Sequence, residues 1–175
     1  WNSQGELRSV IDQNGTQHAY TRDSMGRPVK DEVLVHGTGI DTTIKSIAVT
    51  YNDTGRQKST QAIDEFSTVI NAVELAYTPL GHLETIYQNA FGPVTYNPGT
   101  GVPTGNTKWV RYSFDNQGVG SGSENSQGNY TRMVSKFYPD GARYDNNYGL
   151  YDSATNRISR LEAIREYSST LGLNI

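Results

Sequence analysis

Tyr51-Asn52-Asp53-Thr54-Gly55-Arg56 is the clearest copy of a six-residue phrase that recurs along the chain. Three further stretches follow the same plan: Arg22-Asp23-Ser24-Met25-Gly26-Arg27, Tyr77-Thr78-Pro79-Leu80-Gly81-His82 and Phe114-Asp115-Asn116-Gln117-Gly118-Val119. The second positions of the four copies are separated by 29, 26 and 37 residues. A phrase that returns at intervals of this size indicates a repeat architecture.

Each position of the phrase has a physical role in a β-hairpin. Asp or Asn at the second position can fold its side chain onto the backbone two residues on, and Gly three positions later can adopt the positive φ that closes a turn. The basic residue after the Gly leads the return strand, where it can stack on an aromatic ring or pair with a carboxylate. One such hairpin is marginal alone, so neighbours must stack. The residues two positions before the copies are large, which fits a strand with bulky groups on one face: Tyr20, Val49, Leu75 and Tyr112.

The phrase resembles the YD repeat of the Rhs family, whose consensus runs Tyr-Asp-x-x-Gly-Arg. Residues 10–20 resemble the segment that precedes the phrase in that family, and residues 132–141 resemble a common variant. Tyr151-Asp152-Ser153-Ala154-Thr155-Asn156-Arg157 is a longer copy with Asn where Gly is expected. The copies are degenerate: Arg22 replaces Tyr, Thr78 replaces Asp, and His82 and Val119 replace Arg.

The resemblance implies an all-β fold of antiparallel β-hairpin repeats that form a long curved sheet or part of a hollow β-shell. In this family such shells belong to Rhs proteins, to insecticidal toxin complexes and to teneurin-like extracellular proteins. The turn residues expected to carry the scaffold are Asp23, Gly26, Arg27, Asn52, Gly55, Arg56, Gly81, Asp115, Gly118, Asp152 and Arg157. The repeat aromatics are Tyr20, Tyr51, Tyr77 and Tyr112.

The amino-acid composition fits a fold of thin β-sheet layers without a thick apolar core. Hydrophobic residues make up 34% of the 175 residues, and the chain holds 18 Gly and 12 Tyr. Tyr suits the boundary between an apolar layer and water better than it suits the interior of a thick core. No composition shift marks a boundary, so residues 1–175 are interpreted as one repeat array, an excerpt of a larger repeat protein because no capping repeat is visible.

Charge and residue content argue against a nucleic-acid partner, a membrane span and a disulfide scaffold. The formal charge is −3 and the 15 basic residues are scattered, which gives no reason to expect nucleic acid as a partner. No apolar run approaches about 18 residues, so no membrane span is expected. The absence of Cys excludes a disulfide scaffold.

The expected strands follow the alternation of large and small residues, and two segments have a competing helical pattern. The strands are expected near 7–11, 17–22, 45–51, 68–77, 82–88, 107–115, 130–138, 143–149 and 157–165. Ile63, Phe66, Ile70 and Val73 fall at helical spacing, as do Ile158, Leu161 and Ile164. We favour strands for 68–77 and 157–165, because the first alternates directly into a repeat phrase, and a short helix near 61–67 stays open. Pro and Gly near 92–107, and Gly near 115–128, predict two surface loops inserted between repeat elements.

The search for catalytic, cofactor and metal sites is negative. His18, His36 and His82 lie far apart with no paired metal-ligand spacing, and no Gly-x-Ser-x-Gly elbow occurs. We therefore expect no enzyme activity, no cofactor and no metal. Asp12-Gln13-Asn14-Gly15 is interpreted as a turn, not a calcium loop, because later acidic ligands are lacking. Three Asn-x-Thr sequons make Asn14, Asn52 and Asn129 candidate glycosylation sites.

Three functions remain. The first is a non-catalytic structural segment of a large exported or cell-surface protein, building a β-shell or wall that encapsulates cargo or mediates surface contact. The second is a carbohydrate or cell-wall binding module that uses the Tyr side chains and Trp109. The third is a subunit of a self-assembling tube or fibre. The expected partners are neighbouring repeats of the same or an identical chain, and an encapsulated polypeptide or a surface glycan, at an extracellular or cell-surface location.

Overall fold

The computed structural model describes residues 1–114, 131–148 and 160–167. These residues form eleven β-strands: β1 (Ser9–Ile11), β2 (Gln17–Arg22), β3 (Pro28–Val35), β4 (Ser46–Tyr51), β5 (Gln57–Ile63), β6 (Val69–Tyr77), β7 (Leu83–Asn89), β8 (Lys108–Phe114), β9 (Met133–Phe137), β10 (Arg143–Asn147) and β11 (Ala163–Tyr167). The strands follow their order in the sequence, from β1 to β11, within one antiparallel sheet. The predicted all-β fold of antiparallel hairpins is confirmed.

Two compact units divide the chain. The first contains Trp1–Leu75 and Tyr87–Thr107, and the second contains Ala76–Ile86 and Lys108–Ile175. Each unit is a set of successive antiparallel pairs, β1 to β6 in the first and β8 to β11 in the second.

The first unit has two different sheet faces, because successive side chains of a strand point to opposite sides. Val49, Thr60 and Val73 lie opposite one another on neighbouring strands, and Ala48, Gln61 and Ala72 do so one position away. What we call the apolar face carries the branched and aromatic side chains Val10, Tyr20, Val33, Ile47, Val49 and Val73, together with the polar side chains His18, Asp31, Thr60 and Asn71. The polar face carries the shorter or charged side chains Ala19, Thr21, Lys30, Ala48, Thr50, Ser59, Gln61, Ala72 and Glu74.

Little of the first unit is buried. Ala62, Ala72 and Tyr87 are its buried apolar side chains, while Ile47 on the apolar face remains 37% exposed. Small hydroxyl side chains fill other buried positions, as at Ser59, whose Oγ shares a hydrogen bond of 2.7 Å with Oγ1 of the exposed Thr50. Backbone pairing and side-chain contacts along the sheet therefore take the place of a thick core.

The segment between β7 and β8 was predicted as a surface loop near 92–107, and it has irregular structure with one isolated bridge between Tyr96 and Pro103. It is tied to the polar face of the first unit. The Tyr96 hydroxyl donates to Glu74 Oε1 at 2.9 Å, and its ring stacks on Tyr87 with centroids 4.7 Å apart. The hydrogen bond to Glu74 raises the pKa of Tyr96. The Tyr87 hydroxyl in turn donates to the carbonyl oxygen of Gly101 at 2.9 Å.

Two strands were absent from the expected set. β3 and β5 are the return strands of the first two phrases: Pro28–Val35 has three consecutive charged residues at its centre, and Gln57–Ile63 is largely polar. In a sheet with half-exposed faces a strand needs no apolar alternation, which explains why the pattern missed them. The short helix left open near 61–67 is wrong, because β5 runs to Ile63 and a turn follows at Asp64.

The last predicted strand, near 157–165, is found as β11 at Ala163–Tyr167. Residues 160–162 lie outside it, and residues 157–159 lie outside the described part of the chain. The predicted loop near 115–128 lies outside the described residues as well. No described residue belongs to a helix with the length and apolarity needed to cross a membrane.

Candidate functional site

In the described part of the chain, five-residue turns with one hydrogen-bond scheme join six pairs of successive strands, and one more such turn precedes β1. In the turn from Asn52 to Arg56, the Asn52 N–H donates to the Arg56 carbonyl at 2.8 Å, and the Gly55 N–H donates to the Asn52 carbonyl at 2.9 Å. The same two bonds close, among the described residues, the turns that begin at Asn2, Asp12, Asp23, Asn52, Asp64, Thr78 and Tyr138. Three of these turns, at Asp23, Asn52 and Thr78, come from the phrases that the sequence singled out.

The first side chain of the turn adds a second set of bonds. Asn52 Oδ1 accepts from the N–H groups of Thr54 at 3.1 Å and Arg56 at 2.9 Å. Asp23 Oδ1 accepts in the same way from Met25 at 2.9 Å and Arg27 at 3.0 Å. Five turns share this arrangement, those of Asn2, Asp12, Asp23, Asn52 and Asp64. An Asx side chain thus satisfies backbone donors that the reversal would leave unpaired.

The fourth residue of the turn has a left-handed backbone. Gly55 has φ +82°, a conformation that costs glycine nothing and a side chain with a Cβ much more. Positive φ recurs at the same position in Gly5, Gly15, Gly26, Gly81 and Gly141. In the turn that begins at Asp64 the position is occupied by Ser67, whose φ is 64°.

Arg27 links two successive hairpins of the first unit. Its guanidinium carbon lies 4.2 Å from the centroid of the Tyr51 ring, although Arg27 closes one turn and Tyr51 precedes the next turn on the same end of the sheet. Arg27 Nε also donates to Asp23 Oδ2 at 2.7 Å, and the Tyr51 hydroxyl donates to the Pro28 carbonyl at 2.9 Å. A Cβ on Gly55 would lie 3.3 Å from Arg27 Nη1, so this glycine also leaves room for the stacked cation.

Glu6 and Arg22 occupy the corresponding positions one hairpin earlier. Glu6 is the last residue of the turn at Asn2, and Arg22 precedes the turn at Asp23. Arg22 Nε lies 3.9 Å from Glu6 Oε2, an ion pair in place of the stacked arginine and tyrosine. Arg22 thus stands where the phrase has tyrosine, and Glu6 stands where the phrase has arginine. The two replacements contact each other as an ion pair.

His82 and Phe114 form a third contact of this type, within the second unit. His82 ends the turn that begins at Thr78, and its N–H donates to Thr78 Oγ1 at 3.1 Å. Its ring stacks on Phe114 with centroids 5.1 Å apart. We call the three contacts, Glu6 with Arg22, Arg27 with Tyr51 and His82 with Phe114, the turn pairs.

Two turn carboxylates have lowered pKa values. The hydrogen bond from the Arg27 side chain is the main cause that lowers the pKa of Asp23 below 3.8. For Asp12, the N–H of Thr16 is the main cause that lowers the pKa. Ionised carboxylates thus suit these two turns, whereas Asn52 serves its own turn without a charge.

A row of alternating cations and aromatic rings crosses one face of the second unit. Arg111, Phe137, Arg143 and Tyr167 lie opposite one another on β8, β9, β10 and β11. The guanidinium carbon of Arg143 lies 5.3 Å from the Phe137 centroid and 5.4 Å from the Tyr167 centroid. We call these four residues the Arg111 row.

Further side chains flank the Arg111 row. The guanidinium carbon of Arg111 lies 5.8 Å from the Trp109 centroid, and Arg111 Nη2 lies 3.5 Å from Glu84 Oε1. Arg143 donates to both oxygens of Asp145 at 2.6 Å. Each arginine of the row therefore has a carboxylate as well as a ring.

A second row crosses the opposite face of the same strands. Tyr112, Lys136, Tyr144 and Glu166 are its members, in register from β8 to β11. Lys136 Nζ lies 5.6 Å from the Tyr112 centroid, and the Tyr144 hydroxyl donates to Glu166 Oε1 at 2.6 Å. This last hydrogen bond raises the pKa of Tyr144. We call these four residues the Lys136 row.

The remaining predicted residues are placed as follows. Tyr20 lies on the apolar face of the first unit, Tyr112 lies in the Lys136 row, and Tyr77 ends β6. Asn14 and Asn52 lie in turns, where Asn52 Oδ1 is engaged by backbone donors. Asp115, Gly118, Asn129, Asp152 and Arg157 lie outside the described residues.

His18 and His82 contact different residues and do not lie together in one site. His18 Nδ1 lies 2.8 Å from Asp31 Oδ1, whereas His82 stacks on Phe114. Within residues 1–114, 131–148 and 160–167, no group of three His, Asp or Glu is arranged to hold a metal ion.

Sequence reasoning missed several of these residues. Glu6 and Ser67 depart from the phrase, so only the hydrogen-bond scheme of the turn reveals their positions. The Arg111 row is made by register between strands, and no local pattern in the sequence contains it.

Comparisons with known proteins add a distant likeness. No protein-family model matches the chain, and no curated protein matches it. Among solved structures, a chain of "Crystal Structure of TcdB2-TccC3-Cdc42" is similar over 99% of this chain, with 13% sequence identity and a TM-score of 0.40. This chain spans 9% of the length of that chain. A similarity of this size carries no inference about function.

Proposed function

We propose that this chain is a non-catalytic structural segment that builds the wall of a β-shell in an exported or cell-surface protein. The observation that carries the proposal is the fastening of one hairpin to the next by a turn pair, as where Arg27 stacks on Tyr51 at 4.2 Å. The resemblance of the turn phrase to the YD repeat supports the same role.

The strand order favours a wall over a compact domain. Each strand pairs with its neighbours in sequence, so the sheet can extend by adding hairpins, and every added hairpin contributes backbone bonds. The turn pairs add a side-chain contact between hairpins, worth roughly 0.5–1 kcal/mol at an exposed site. Such a sheet gains stability by extension, without a closed core.

The two faces of the first unit suggest how the wall is oriented. The apolar face offers exposed branched side chains such as Ile47 to an enclosed polypeptide, and the polar face carries the exposed Thr50 and the contact of Tyr96 with Glu74. Partners in this proposal are neighbouring hairpins of the same or an identical chain and an encapsulated polypeptide.

Thiol labelling of the native assembly tests the proposal. The chain has no Cys, so a single introduced Cys is a clean reporter. Ile47→Cys reports the apolar face and Thr50→Cys reports the polar face of the same strand, since both native residues are exposed. In a closed shell a bulky thiol reagent should modify Thr50→Cys and spare Ile47→Cys until the protein is denatured.

Equal labelling of the two variants in the native assembly would contradict a closed wall. Filaments seen by electron microscopy, with both variants labelled, would instead favour the tube or fibre alternative. β1 and β11, at the two ends of the strand order, would then be the strands that join successive copies.

A further inference from the structure

We propose that copies of this chain associate end to end, through the two ends of the first unit. The turns of an antiparallel sheet alternate between its ends, because each strand reverses the direction of the strand before it. One end of the first unit, which we call the acidic end, therefore carries residues 12–16, 36–45, 64–68 and 90–93. The other end, which we call the basic end, carries residues 2–6, 23–27 and 52–56.

The acidic end presents two phenylalanine side chains on neighbouring tips. The N–H groups of Phe66 and Phe91 each donate to the Asx side chain two residues earlier, at 2.9 and 3.0 Å, so the two rings occupy equivalent positions. A Cβ on Gly92 would lie 4.0 Å from the carbonyl oxygen of Val69, which places the second tip beside the strand that follows the first. Phe66 is 79% exposed and Phe91 is 82% exposed.

Further apolar side chains are exposed at the same end. The Gly37 N–H donates to Thr16 Oγ1 at 3.2 Å, so the loop between β3 and β4 lies against the turn between β1 and β2. The exposed apolar residues in and next to these two segments are Ile11, Leu34, Val35 and Ile40. Apolar side chains gathered at one end favour association, because contact with a second surface removes them from water.

The two ends differ in charge. Each end is counted with the two residues that flank each of its segments. The acidic end has four carboxylates and one lysine, which are Asp12, Asp41, Asp64, Glu65 and Lys45. His18 and His36 also lie there and add no formal charge at pH 7. The basic end has three carboxylates and five cations, which are Glu6, Asp23, Asp53, Arg8, Arg22, Arg27, Arg56 and Lys58.

Ion pairs within the basic end leave its positive charge in excess. Glu6 lies near Arg22, and Asp23 is paired with Arg27 at 2.7 Å. The charged residues outside these two pairs are Asp53, Arg8, Arg56 and Lys58, all of them exposed. The basic end is therefore complementary in charge to the acidic end, where the exposed Glu65 stands next to Phe66.

A second copy matches these ends in shape as well as in charge. Met25 is 73% exposed at the tip of the turn at Asp23, the position that Phe66 has in its own turn, and a methionine sulfur packs well on phenylalanine rings. Neighbouring strands lie about 4.8 Å apart, so the tips at either end of one sheet recur every two strands, roughly 10 Å. The tips of one copy can thus meet the tips of the next in register.

Such a head-to-tail contact repeats from copy to copy. It is made by turns, so it differs from a joint between β1 and β11, and it does not require a closed shell. Thiol labelling decides the closed wall, whereas the association of copies is measured separately.

Charge reversal tests the contact. Sedimentation velocity of the full chain over a concentration series should show reversible association that weakens as salt is added. Glu65→Arg alone and Arg56→Glu alone should each weaken association about tenfold, because like charges then meet. An equimolar mixture of the two variants should restore it, since every contact between unlike copies again joins opposite charges. If Arg56→Glu lowers the urea unfolding midpoint, Lys58→Glu replaces it in the same mixture.

Apolar substitutions supply the matched control. The double variant Phe66→Ser, Phe91→Ser should abolish association, whereas Val102→Ser, at an exposed apolar residue of the same unit outside both ends, should leave it unchanged. The proposal is overturned if the chain is monomeric at every concentration, if the mixture of charge variants stays dissociated, or if Val102→Ser weakens association as much as the double variant. Binding of a monomeric chain to phosphatidylcholine vesicles, lost in the double variant, would overturn it in favour of a lipid surface.

Discussion

The turn from Asn52 to Arg56 and the turn from Asp64 to Thr68 lie at opposite ends of β5 and share one hydrogen-bond scheme. The first has Gly55 at the left-handed position and a tyrosine before it on which Arg27 stacks. The second has Ser67 at that position and Phe66 at its tip, 79% exposed. The comparison separates two roles: an Asx residue and a left-handed fourth residue reverse the chain in both turns, while the tyrosine of the first turn serves the contact between hairpins.

The largest expected effect is at the first of these turns. Gly55→Val should lower the free energy of unfolding by more than about 1 kcal/mol, because a β-branched residue at φ +82° is strained and its Cβ would crowd Arg27. Urea denaturation of the full chain measures the change. Thr54→Ala, at the exposed neighbouring position, should change the free energy by less than about 0.5 kcal/mol. Equal and small effects would contradict the turn register.

Removal of the Asx side chain should affect both turns alike. Asn52→Ala and Asp64→Ala each remove an acceptor for two backbone N–H groups, so each should cost about 1 kcal/mol. The urea unfolding midpoints of the two variants, compared with that of the wild type, measure this cost. A large cost at one turn alone would show that the shared hydrogen-bond scheme does not make the two turns equivalent.

Ser67→Gly should stabilise the second turn. Relief of the left-handed strain is expected to contribute roughly 0.5–1 kcal/mol, less the entropy that glycine adds to the unfolded chain. The thermal midpoint should therefore rise by a small amount. The same measurement on Ser67→Ala, which keeps a Cβ, should show no rise, and a rise in both variants would argue against strain as the cause.

The stacked contact at the first turn should appear as an interaction energy. A double-mutant cycle of Arg27→Ala and Tyr51→Ala is expected to give a coupling of about 0.5–1 kcal/mol. Arg27→Ala also removes the bond to Asp23, so the cycle is needed to isolate the stacking. Additive effects of the two changes would mean that the turn pair does not fasten the hairpins.

The smallest expected difference is in pH dependence. Because the side chain of Arg27 lowers the pKa of Asp23 in the fold, the ionised carboxylate stabilises the fold above its unfolded pKa near 3.8. That contribution is lost as pH falls through this value and below it. Asp23→Asn should make the fall of the thermal midpoint between about pH 6 and about pH 2 less steep, whereas Asn52→Asp should make it steeper. Identical slopes in the wild type and Asp23→Asn would contradict the assignment.

Sequence patterns could reveal the turns better than the strands. Gly26, Gly55 and Gly81 mark reversals because their conformation is demanded locally, and the phrase contains that demand. β5 could not be found from Gln57–Ile63, because a sheet with half-exposed faces imposes no alternation on it. The pairing of Glu6 with Arg22 and the alignment of Arg111 with Arg143 depend on register across strands, which residues in one segment cannot specify.

The scarcity of buried apolar side chains has a thermodynamic consequence. Among the described residues the buried apolar side chains are Ala62, Ala72, Tyr87 and Val134. Unfolding would expose less hydrocarbon to water than the unfolding of a domain with a thick core, so the heat-capacity increment should fall below the roughly 12–15 cal/mol/K per residue of ordinary domains. The stability curve of this sheet is then broad and shallow, with little loss of folded protein on cooling.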